Sequence, residues 1–374
     1  MTPPRRRRQL DESDVRIRAN PRGTRPRSKE RPRYEGAVPG QVLTVDRGRY
    51  TCLLGGFAEP RGVPSNDGGG RHDGGGRNDG GDRVVVAMKA RELGKKGVVV
   101  GDRVALVGDV SGEQGALARV VRVDKRTSLL RRSADDVDPA ERAVVANADA
   151  LAIVTALEDP EPRPRMVDRC LVAAYDAGLE PLLVLTKADL RDAAGFLARY
   201  APLDVPAVVT SRVGPKGLGR IVGLDALEAW LAGRVTVLVG HSGVGKSTLV
   251  NALAPGSDRA TGAVNDVTGR GRHTSTSAVA LRLPGPRGGW VIDTPGIRSF
   301  GLAHVNPDRI VHHFPDLAAG TADCPRGCTH DEKECGLDAF AAAGGAGPAG
   351  VSRLESLRRL LHSRAGDASE DERG

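Results

Sequence analysis

Two short motifs constrain the fold of this 374-residue chain more than its composition does. The first is a glycine-rich segment at residues 240–247, which follows a β-branched run and precedes a segment of helical pattern. The second, at residues 186–189, reads Thr-Lys-Ala-Asp and follows an apolar run. A glycine-rich turn between a strand and a helix is typical of phosphate-binding loops, and Lys-x-Asp after a buried strand is typical of guanine-reading motifs. An ordinary GTPase has the phosphate loop first, so the reversed order predicts a circularly permuted guanine-nucleotide domain.

The glycine-rich segment has the residue types that phosphate binding requires. Glycines let successive backbone N–H groups turn towards the phosphates, and the N-terminus of the next helix adds a favourable dipole. Lys246 is expected to reach the β- and γ-phosphates, and the Ser247 hydroxyl to bind Mg²⁺. The alternative, a glycine-rich turn without a ligand, is disfavoured by the strand before it and the helix after it. The predicted phosphate-binding residues are Gly240, His241, Ser242, Gly243, Val244, Gly245, Lys246, Ser247 and Thr248.

The upstream motif is expected to read the base. It comprises Thr186, Lys187, Ala188 and Asp189. The Asp189 carboxylate can accept N1–H and the 2-amino group of guanine, whereas adenine would leave a buried charge unsatisfied. The stem of Lys187 is expected to lie along the base plane, and Ser211 and Arg212 to close over the guanine O6 through backbone N–H groups. The alternative, a surface turn, is disfavoured by the apolar strand before the motif.

A third motif, Asp-x-x-Gly, follows the phosphate loop at the end of another predicted strand. Asp293 is expected to hold Mg²⁺ through water, and the Gly296 N–H to contact the γ-phosphate. The polar loop at residues 269–276 lies between these motifs, where a switch that senses the γ-phosphate is expected. A hydroxyl of this loop should complete the Mg²⁺ shell. Thr274 and Ser275 are the candidates, and Thr276 remains open.

The residue after the Asp-x-x-Gly motif is Ile297, which cannot orient a water molecule. Ordinary GTPases often place a Gln there, so another group must position the nucleophile. His273, in the switch loop, is predicted to be this catalytic residue. The alternative is that His273 is an exposed loop histidine without a role.

Changes in residue pattern divide the chain into predicted domains. Residues 37–126 contain five short apolar strands separated by turns, which predicts a small barrel; the OB type is the leading candidate, and another small barrel is the alternative. Repeated Asp-Gly-Gly units at residues 60–82 predict a flexible insertion. Residues 127–303 alternate strands and helices, which predicts a mostly parallel sheet covered on both faces.

Helical segments are predicted within and after this alternating part. In it, they lie at residues 166–177, 189–200 and 217–231. Residues 304–374 are expected to form a C-terminal domain, with an Ala/Gly linker near residues 341–350 and a helix at residues 351–363.

Three of the five cysteines are clustered with a histidine in twelve residues of this last domain. They are Cys324, Cys328, His330 and Cys335. An odd cysteine count with such a cluster does not suggest a disulfide framework. Cys₃His is a tetrahedral ligand set for one structural Zn²⁺, with no position left for a catalytic water. Scattered buried cysteines are the alternative, and His304, His312 and His313 are only weak competing ligands. The expected fold class is thus an α/β P-loop GTPase, circularly permuted, with an N-terminal OB-like β-barrel and a C-terminal zinc-binding, partly helical domain.

The charge of the chain is concentrated at its start. Residues 1–33 hold twelve Arg or Lys against four acids, a surplus of eight that equals the net charge of the whole chain, +8. This basic arm, taken as residues 1–36, has few apolar residues and is predicted to be disordered. It is interpreted as an arm that contacts nucleic-acid phosphates, or alternatively as a solvated tail without a dedicated partner.

Targeting signals are also weak. No run of about eighteen apolar residues is present, so no membrane span or membrane partner is predicted. No apolar stretch follows the N-terminal arginines, which argues against secretion. A reduced, cytoplasmic protein is expected.

The motif series Thr-Lys-x-Asp, Gly-His-Ser-Gly-Val-Gly-Lys-Ser, Gly-Arg-His-Thr and Asp-Thr-Pro-Gly resembles that of the RsgA (YjeQ-type) circularly permuted GTPases. The resemblance covers residues 38–362. It implies a factor of late small ribosomal subunit assembly whose slow GTP hydrolysis is stimulated by the subunit, and it matches His273 to the family's switch histidine. Two departures are Ser275, where the family has Thr but a hydroxyl remains, and shorter gaps in the cysteine cluster.

The function expected is therefore that of a monomeric GTP-hydrolysing factor that binds the small ribosomal subunit and its rRNA, with Mg²⁺ accompanying GTP or GDP. The barrel, the basic arm and the zinc domain would contact RNA. Tyr50 and Phe57 are the aromatics of the first half of the barrel, so phosphate contacts should dominate over base stacking. The alternatives are a guanine-nucleotide-switched RNA-binding module that does not hydrolyse GTP and, more remotely, an ATPase.

Overall fold

Among the described residues, eleven strands are joined edge to edge, from an α/β layer into a closed barrel. The structure is a computed structural model. It describes residues 34, 36–57, 83–94, 97–133, 141–214, 219–255, 278–285, 288–294, 300, 302, 305–332 and 334–365. Residues 1–33 of the predicted basic arm and the predicted insertion at residues 60–82 lie outside this part of the chain.

Five strands form the barrel. They are β1 (Val38–Asp46), β2 (Arg49–Leu54), β3 (Val84–Lys89), β4 (Arg103–Gly108) and β5 (Ala118–Val123). Their order is β1-β2-β3-β5-β4, and β4 also pairs with β1, so the barrel is closed. All neighbours are antiparallel except β3 and β5. Fully buried apolar side chains such as Val42, Cys52 and Leu106 fill the interior. The OB-like barrel is confirmed.

Alternating strands and helices form the second part of the fold. After the hairpin of β6 (Leu129–Ser133) and β7 (Glu141–Ala146), which was not predicted, its elements are β8 (Ala150–Ala156), α1 (Pro164–Ala177), β9 (Glu180–Thr186), α2 (Ala194–Tyr200), β10 (Ala207–Val209), β11 (Ser211–Val213), β12 (Arg220–Val222), α3 (Leu224–Leu231), β13 (Val235–Gly240), α4 (Lys246–Leu253), β14 (Val279–Arg282) and β15 (Trp290–Asp293).

Most of the strands in this layer are parallel. Their order is β10-β9-β8-β13-β15-β14, and β14 alone among them runs antiparallel to its neighbour β15. Every residue of β8 is buried, as expected for a strand covered on both faces. One apolar cluster packs α1 against one face of the sheet, and a second packs α3 and α4 against the other. The predicted α/β layer is confirmed.

Two helices of this layer are shorter than predicted. The helix predicted at residues 189–200 begins only at Ala194, after the turn that follows the base-reading motif. The prediction of a helix at residues 217–231 was wrong at residues 220–222, where β12 pairs with β11. Gly223, with φ of 86°, ends that hairpin, and a Cβ there would lie 2.2 Å from the Val209 carbonyl oxygen. A tight turn that only glycine fits therefore separates the strand from α3.

The C-terminal part is helical. It consists of α5 (Pro307–Val311), α6 (Pro315–Ala318), a 3₁₀ helix (Ala319–Asp323), α7 (Gly336–Ala342) and α8 (Gly350–Ala365). The linker predicted near residues 341–350 begins too early, because Ala341 belongs to α7 and is buried. None of the helices in the described part of the chain is both long and apolar enough to cross a membrane.

The barrel is joined directly to the edge of the α/β sheet. Thr44 of β1 pairs with Val279 of β14. The ring of Phe57 stacks on Trp290 at the start of β15, with centroids 4.2 Å apart. The buried Asn147 amide donates to the Gly101 carbonyl at 2.8 Å. The first two contacts connect the barrel to β14 and β15, and β15 ends at Asp293 of the Asp-x-x-Gly motif; the third connects the barrel to the segment before β8.

Candidate nucleotide and metal sites

The predicted phosphate loop connects a central strand to a helix. β13 lies between β8 and β15, and α4 begins at Lys246. Gly245, the residue before the helix, has φ of 91°, which favours glycine. Ser247 and Thr248 are exposed in the first turn of α4, where free N–H groups are found. The local geometry is therefore that of an anion-binding loop.

The phosphate loop and the Asp-x-x-Gly motif lie side by side. β13 and β15 are parallel, and Leu238 is in register with Asp293. The Lys246 ammonium contacts the Asp293 carboxylate directly. Beside this pair, the buried Thr294 hydroxyl donates to the Leu238 carbonyl at 2.7 Å. An ammonium at the start of α4 and a carboxylate at the end of β15 can serve phosphate and metal binding respectively.

The base-reading motif is hydrogen-bonded to the phosphate loop. The buried Thr186 hydroxyl donates to the Val244 carbonyl at 2.6 Å. A Cβ added to Gly245 would lie 3.8 Å from the same hydroxyl. Two segments that are about sixty residues apart in sequence are therefore held against each other by one short bond.

Asp189 organises the segment expected to cover the base. Its carboxylate accepts the Arg212 backbone N–H at 3.0 Å. Ser211 and Arg212 are half-buried and form the start of β11, while the Ala188 N–H donates to the Thr210 carbonyl at 3.2 Å. The expected backbone donor of Arg212 is thus directed at Asp189, and the two predicted guanine-binding segments meet.

Sequence reasoning missed an acidic loop that borders this site. The Lys187 ammonium, on a residue with φ of 60°, contacts the Asp159 carbonyl. Arg191 pairs with Glu158 at 2.5 Å and with Glu161 at 2.8 Å. The one available signal was a group of three acids in the loop after β8 and a basic residue just beyond the base-reading motif. No spacing rule links residues that far apart.

Several predicted site residues lie outside the part of the chain that the structure describes. They are His273, Thr274, Ser275 and Gly296. Their roles stay predictions. His241 is half-buried in the phosphate loop, and its Nδ1 lies 3.0 Å from the Ser242 carbonyl oxygen.

The predicted metal ligands converge at one point. The ligand atoms of Cys324, Cys328, His330 and Cys335 all lie within 4.8 Å of one another. His330 turns Nδ1 towards the thiols, 3.6 Å from the Cys324 sulfur and 3.9 Å from the Cys335 sulfur. Three sulfurs and one imidazole nitrogen at these separations fit a tetrahedral, soft-ligand metal site.

The thiols need a bound cation if they are to act as thiolate ligands. Desolvation raises the pKa of Cys324 and of Cys328, so a bound cation would be needed to hold them as thiolates. The competing histidines are placed differently: His312 is exposed, and His313 donates from Nε2 to the Tyr175 carbonyl at 2.9 Å. His304 lies beyond the described residues.

Neighbouring side chains hold the cysteine loop, residues 324–335, in place. Glu332 accepts the Thr329 N–H at 2.9 Å, which lowers the pKa of Glu332 to about 2. The Arg358 guanidinium of α8 donates to the His330 carbonyl at 3.1 Å and pairs with Asp338 at 2.6 Å. The metal cluster is therefore attached to the C-terminal helix through a ligand's own backbone.

A parallel sheet with a phosphate loop after β13 and a base-reading motif upstream, after β9, defines a circularly permuted P-loop GTPase fold. Residues 123–303 match the sequence profile of the family described as RsgA GTPase. The chain is 40% identical over 275 residues to the small ribosomal subunit biogenesis GTPase RsgA of Azotobacter vinelandii, covering 71% of this chain and 75% of that protein. The chain belongs to the RsgA GTPase family.

Other relatives and solved structures agree. The RsgA protein of Serratia proteamaculans is 36% identical over 276 residues, covering 72% of this chain and 76% of that protein. The crystal structure of YjeQ from Thermotoga maritima matches with a TM-score of 0.56 and 25% identity, covering 88% of this chain and 99% of that one. The structure of YloQ, described as a circularly permuted GTPase, matches in fold with a TM-score of 0.56 and 20% identity, covering 89% of this chain and 96% of that one.

Proposed function

We propose that this chain hydrolyses GTP to GDP and phosphate as a factor in late assembly of the small ribosomal subunit. The observation that carries the proposed GTP hydrolysis is the contact of Lys246 with Asp293, next to a phosphate loop whose Val244 carbonyl accepts a hydrogen bond from Thr186 of the base-reading motif. The proposed role in subunit assembly is supported by the relatives, which are named small ribosomal subunit biogenesis GTPases.

Each predicted residue has a separate task in this proposal. Lys246 and the backbone N–H groups of residues 240–248 bind the phosphates, and Asp189 accepts the two donors of guanine. Ser247 and Asp293 offer the hard oxygen donors that Mg²⁺ prefers. When bound, Mg²⁺ neutralises charge that develops on the phosphates. Thr274 or Ser275 would add a further hydroxyl, and the Gly296 N–H would bind the γ-phosphate.

His273 is proposed to orient the water that attacks the γ-phosphorus. One bond forms between this water oxygen and phosphorus, the bond to the GDP leaving oxygen breaks, and the water's protons pass to the phosphate product and solvent. Ile297 occupies the position after the Asp-x-x-Gly motif and has no polar atom for this task.

The Cys₃His cluster is proposed to hold one structural Zn²⁺, since its four protein ligands leave no position for a substrate.

We also propose the domain division given by the sequence: a basic arm at residues 1–36, a barrel at 37–126, the GTPase domain at 127–303 and the zinc domain at 304–374. A monomer in the cytoplasm, bound to the small subunit and its rRNA, is the proposed working form.

GTP hydrolysis by the full chain, measured with isolated small subunits, with large subunits and with neither, tests the proposed function. Small subunits should stimulate turnover, and His273→Ala should lower the stimulated rate by roughly a hundredfold, the usual size of a positioned-group effect. Affinity for GDP should remain within about twofold, because His273 is assigned no ground-state contact. His312→Ala, which removes an exposed histidine outside the nucleotide motifs, is the matched control and should leave the stimulated rate unchanged.

Unchanged turnover of the His273 variant would remove its assigned role. Equal rates in all three arms with wild-type protein would favour a nucleotide-switched RNA-binding module over a subunit-stimulated enzyme.

The exposed arginines of the barrel predict how its affinity for small subunits depends on salt concentration. Exposed Arg49 and Arg119 flank Met88 in register across β2, β3 and β5. Tyr50 and Phe57 are buried, so they offer no ring for base stacking. Binding to small subunits should therefore rest on phosphate contacts and weaken at least tenfold between about 50 and 200 mM salt.

The double variant Arg49→Gln, Arg119→Gln should flatten the plot of log affinity against log salt by about two units of slope. Arg220→Gln, an exposed arginine of β12, is the matched control and should leave the slope unchanged. A salt-independent affinity of the wild-type protein would contradict the phosphate-contact interpretation.

A further inference from the structure

A buried arginine in α1 binds two segments from distant parts of the chain. Arg169 is only 6% exposed. Its Nε and Nη2 donate to the Phe300 carbonyl at 3.0 and 2.5 Å. Its Nη1 donates to the Ser363 carbonyl at 3.0 Å. One guanidinium therefore fixes the distance between these two backbone positions.

Each of the two carbonyls has a distinct place in the molecule. Phe300 is fully buried and follows the Asp-x-x-Gly motif by a few residues in the sequence. Ser363 lies in the last turn of α8, whose carbonyls have no partner within the helix and attract a positive charge. Arg169 thus links the chain that leaves the nucleotide site to the end of the C-terminal helix.

The same helix continues the connection to the metal cluster. Arg358, on α8, donates to the carbonyl of His330, one of the four metal ligands. A hydrogen-bonded path therefore runs from Phe300 through Arg169 and α8 to His330. It joins Phe300, six residues beyond Thr294, to the Cys₃His cluster without crossing the nucleotide site itself.

Packing alone would not require an arginine at this position. Burying a charge costs free energy that an apolar side chain of similar size would not cost. What the guanidinium adds is a planar fork that serves two acceptors at once, which a lysine ammonium on a flexible stem does not reproduce. The geometry of Arg169 therefore fits a residue that holds two backbone carbonyls in place better than one that only fills the interface between helices.

We propose that Arg169 is a positioning residue that couples the nucleotide state at the Asp-x-x-Gly motif to α8 and the metal-binding region. The proposal rests on guanine-nucleotide binding as argued above. A change of nucleotide state that displaces the Phe300 carbonyl would be transmitted to Ser363, because both carbonyls accept hydrogen bonds from the one Arg169 guanidinium.

The structure offers a matched control next to Arg169. Asp168 is also buried in α1, and its carboxylate pairs with Arg359 of α8 at 3.2 Å. This ion pair joins the same two helices, and neither the Phe300 carbonyl nor the Ser363 carbonyl takes part in it. The double variant Asp168→Asn, Arg359→Gln removes both charges and loosens the α1–α8 interface without touching the proposed link.

Hydrogen exchange of the full-length protein, with GDP and with the β,γ-imido analogue of GTP, tests the coupling without ribosomes. In the wild-type protein, amides in the last two turns of α8 should exchange at rates that differ roughly tenfold between the two nucleotides. Arg169→Lys should reduce this difference to within about twofold, because an ammonium cannot hold both carbonyls. The Asp168→Asn, Arg359→Gln control should keep it.

Three outcomes would overturn the coupling: no nucleotide-dependent difference in wild-type α8, a full difference in the Arg169→Lys variant, or an equal loss in the control. Nucleotide affinity, measured separately by titration with GDP, distinguishes the failure of this proposal from that of the proposed function. A wild-type protein that binds no guanine nucleotide would refute both, whereas binding without a response in α8 would refute the coupling alone.

Discussion

Replacing Asp189 with Asn should lower GDP affinity by roughly a hundredfold, which corresponds to about 2.7 kcal/mol. The carboxylate accepts two donors from guanine, and hydrogen bonds to a charged group contribute about 1.5–3 kcal/mol each. An amide offers one acceptor and turns a donor towards the 2-amino group. Xanthine nucleotides carry a carbonyl at that position, so their affinity should rise as that of GDP falls.

The measurement is a competition titration of wild-type and Asp189→Asn proteins with GDP, ADP and XDP. The fold should survive, because an Asn side-chain oxygen can still accept the Arg212 N–H that Asp189 now accepts. Asp225→Asn, an exposed acid in the first turn of α3, makes the same charge change away from the site and should leave all three affinities unaltered. Retained discrimination against ADP and XDP in the Asp189 variant would contradict the base-reading role.

The nucleotide fold could be predicted because its signals are local. The run of β-branched residues before Gly240 and the glycine-rich turn after it specify strand and loop within about fifteen residues. The Cys₃His cluster was equally local. The hairpin of β6 and β7 was missed because β6 places Leu129 and Leu130 directly before Arg131 and Arg132, a pattern without clear alternation.

The connections between these elements could not be predicted from the sequence. The pairing of β11 with β12 depends on the turn enforced at Gly223, and the contact of Lys187 with Asp159 joins two loops that local patterns treat separately. From the sequence alone, Arg169 would be assigned to the polar face of an amphipathic helix, and residues on that face normally point towards solvent. Only the packing of α8 and Phe300 on α1 shows that it is buried. Function that depends on coupling is therefore least visible in the sequence.

Removing the metal should unfold the cysteine loop and leave the nucleotide site intact. Purified protein should contain one zinc per chain, and Cys328→Ser should contain close to none, since three ligands hold zinc far less tightly than four. Structural zinc contributes about 10–16 kcal/mol of apparent binding free energy in small domains. Its loss should therefore melt α7, whose N-cap is the ligand Cys335, well before the GTPase core.

The choice of Cys328 separates ligand loss from core damage, because this side chain is half-exposed whereas Cys335 is buried. Cys52→Ser is the matched control: it disturbs the barrel interior but should retain one zinc per chain. GDP affinity should stay within about twofold in the Cys328 variant. Lys246 in α4, Asp293 at the end of β15 and Asp189 after β9 lie next to elements that pack in the apolar cluster of α3 and α4, which contains none of the metal-binding cysteines. Limited proteolysis should then cut the variant first within residues 324–342, and a protease pattern identical to that of the wild type, with zinc absent, would show that the metal does not stabilise this region.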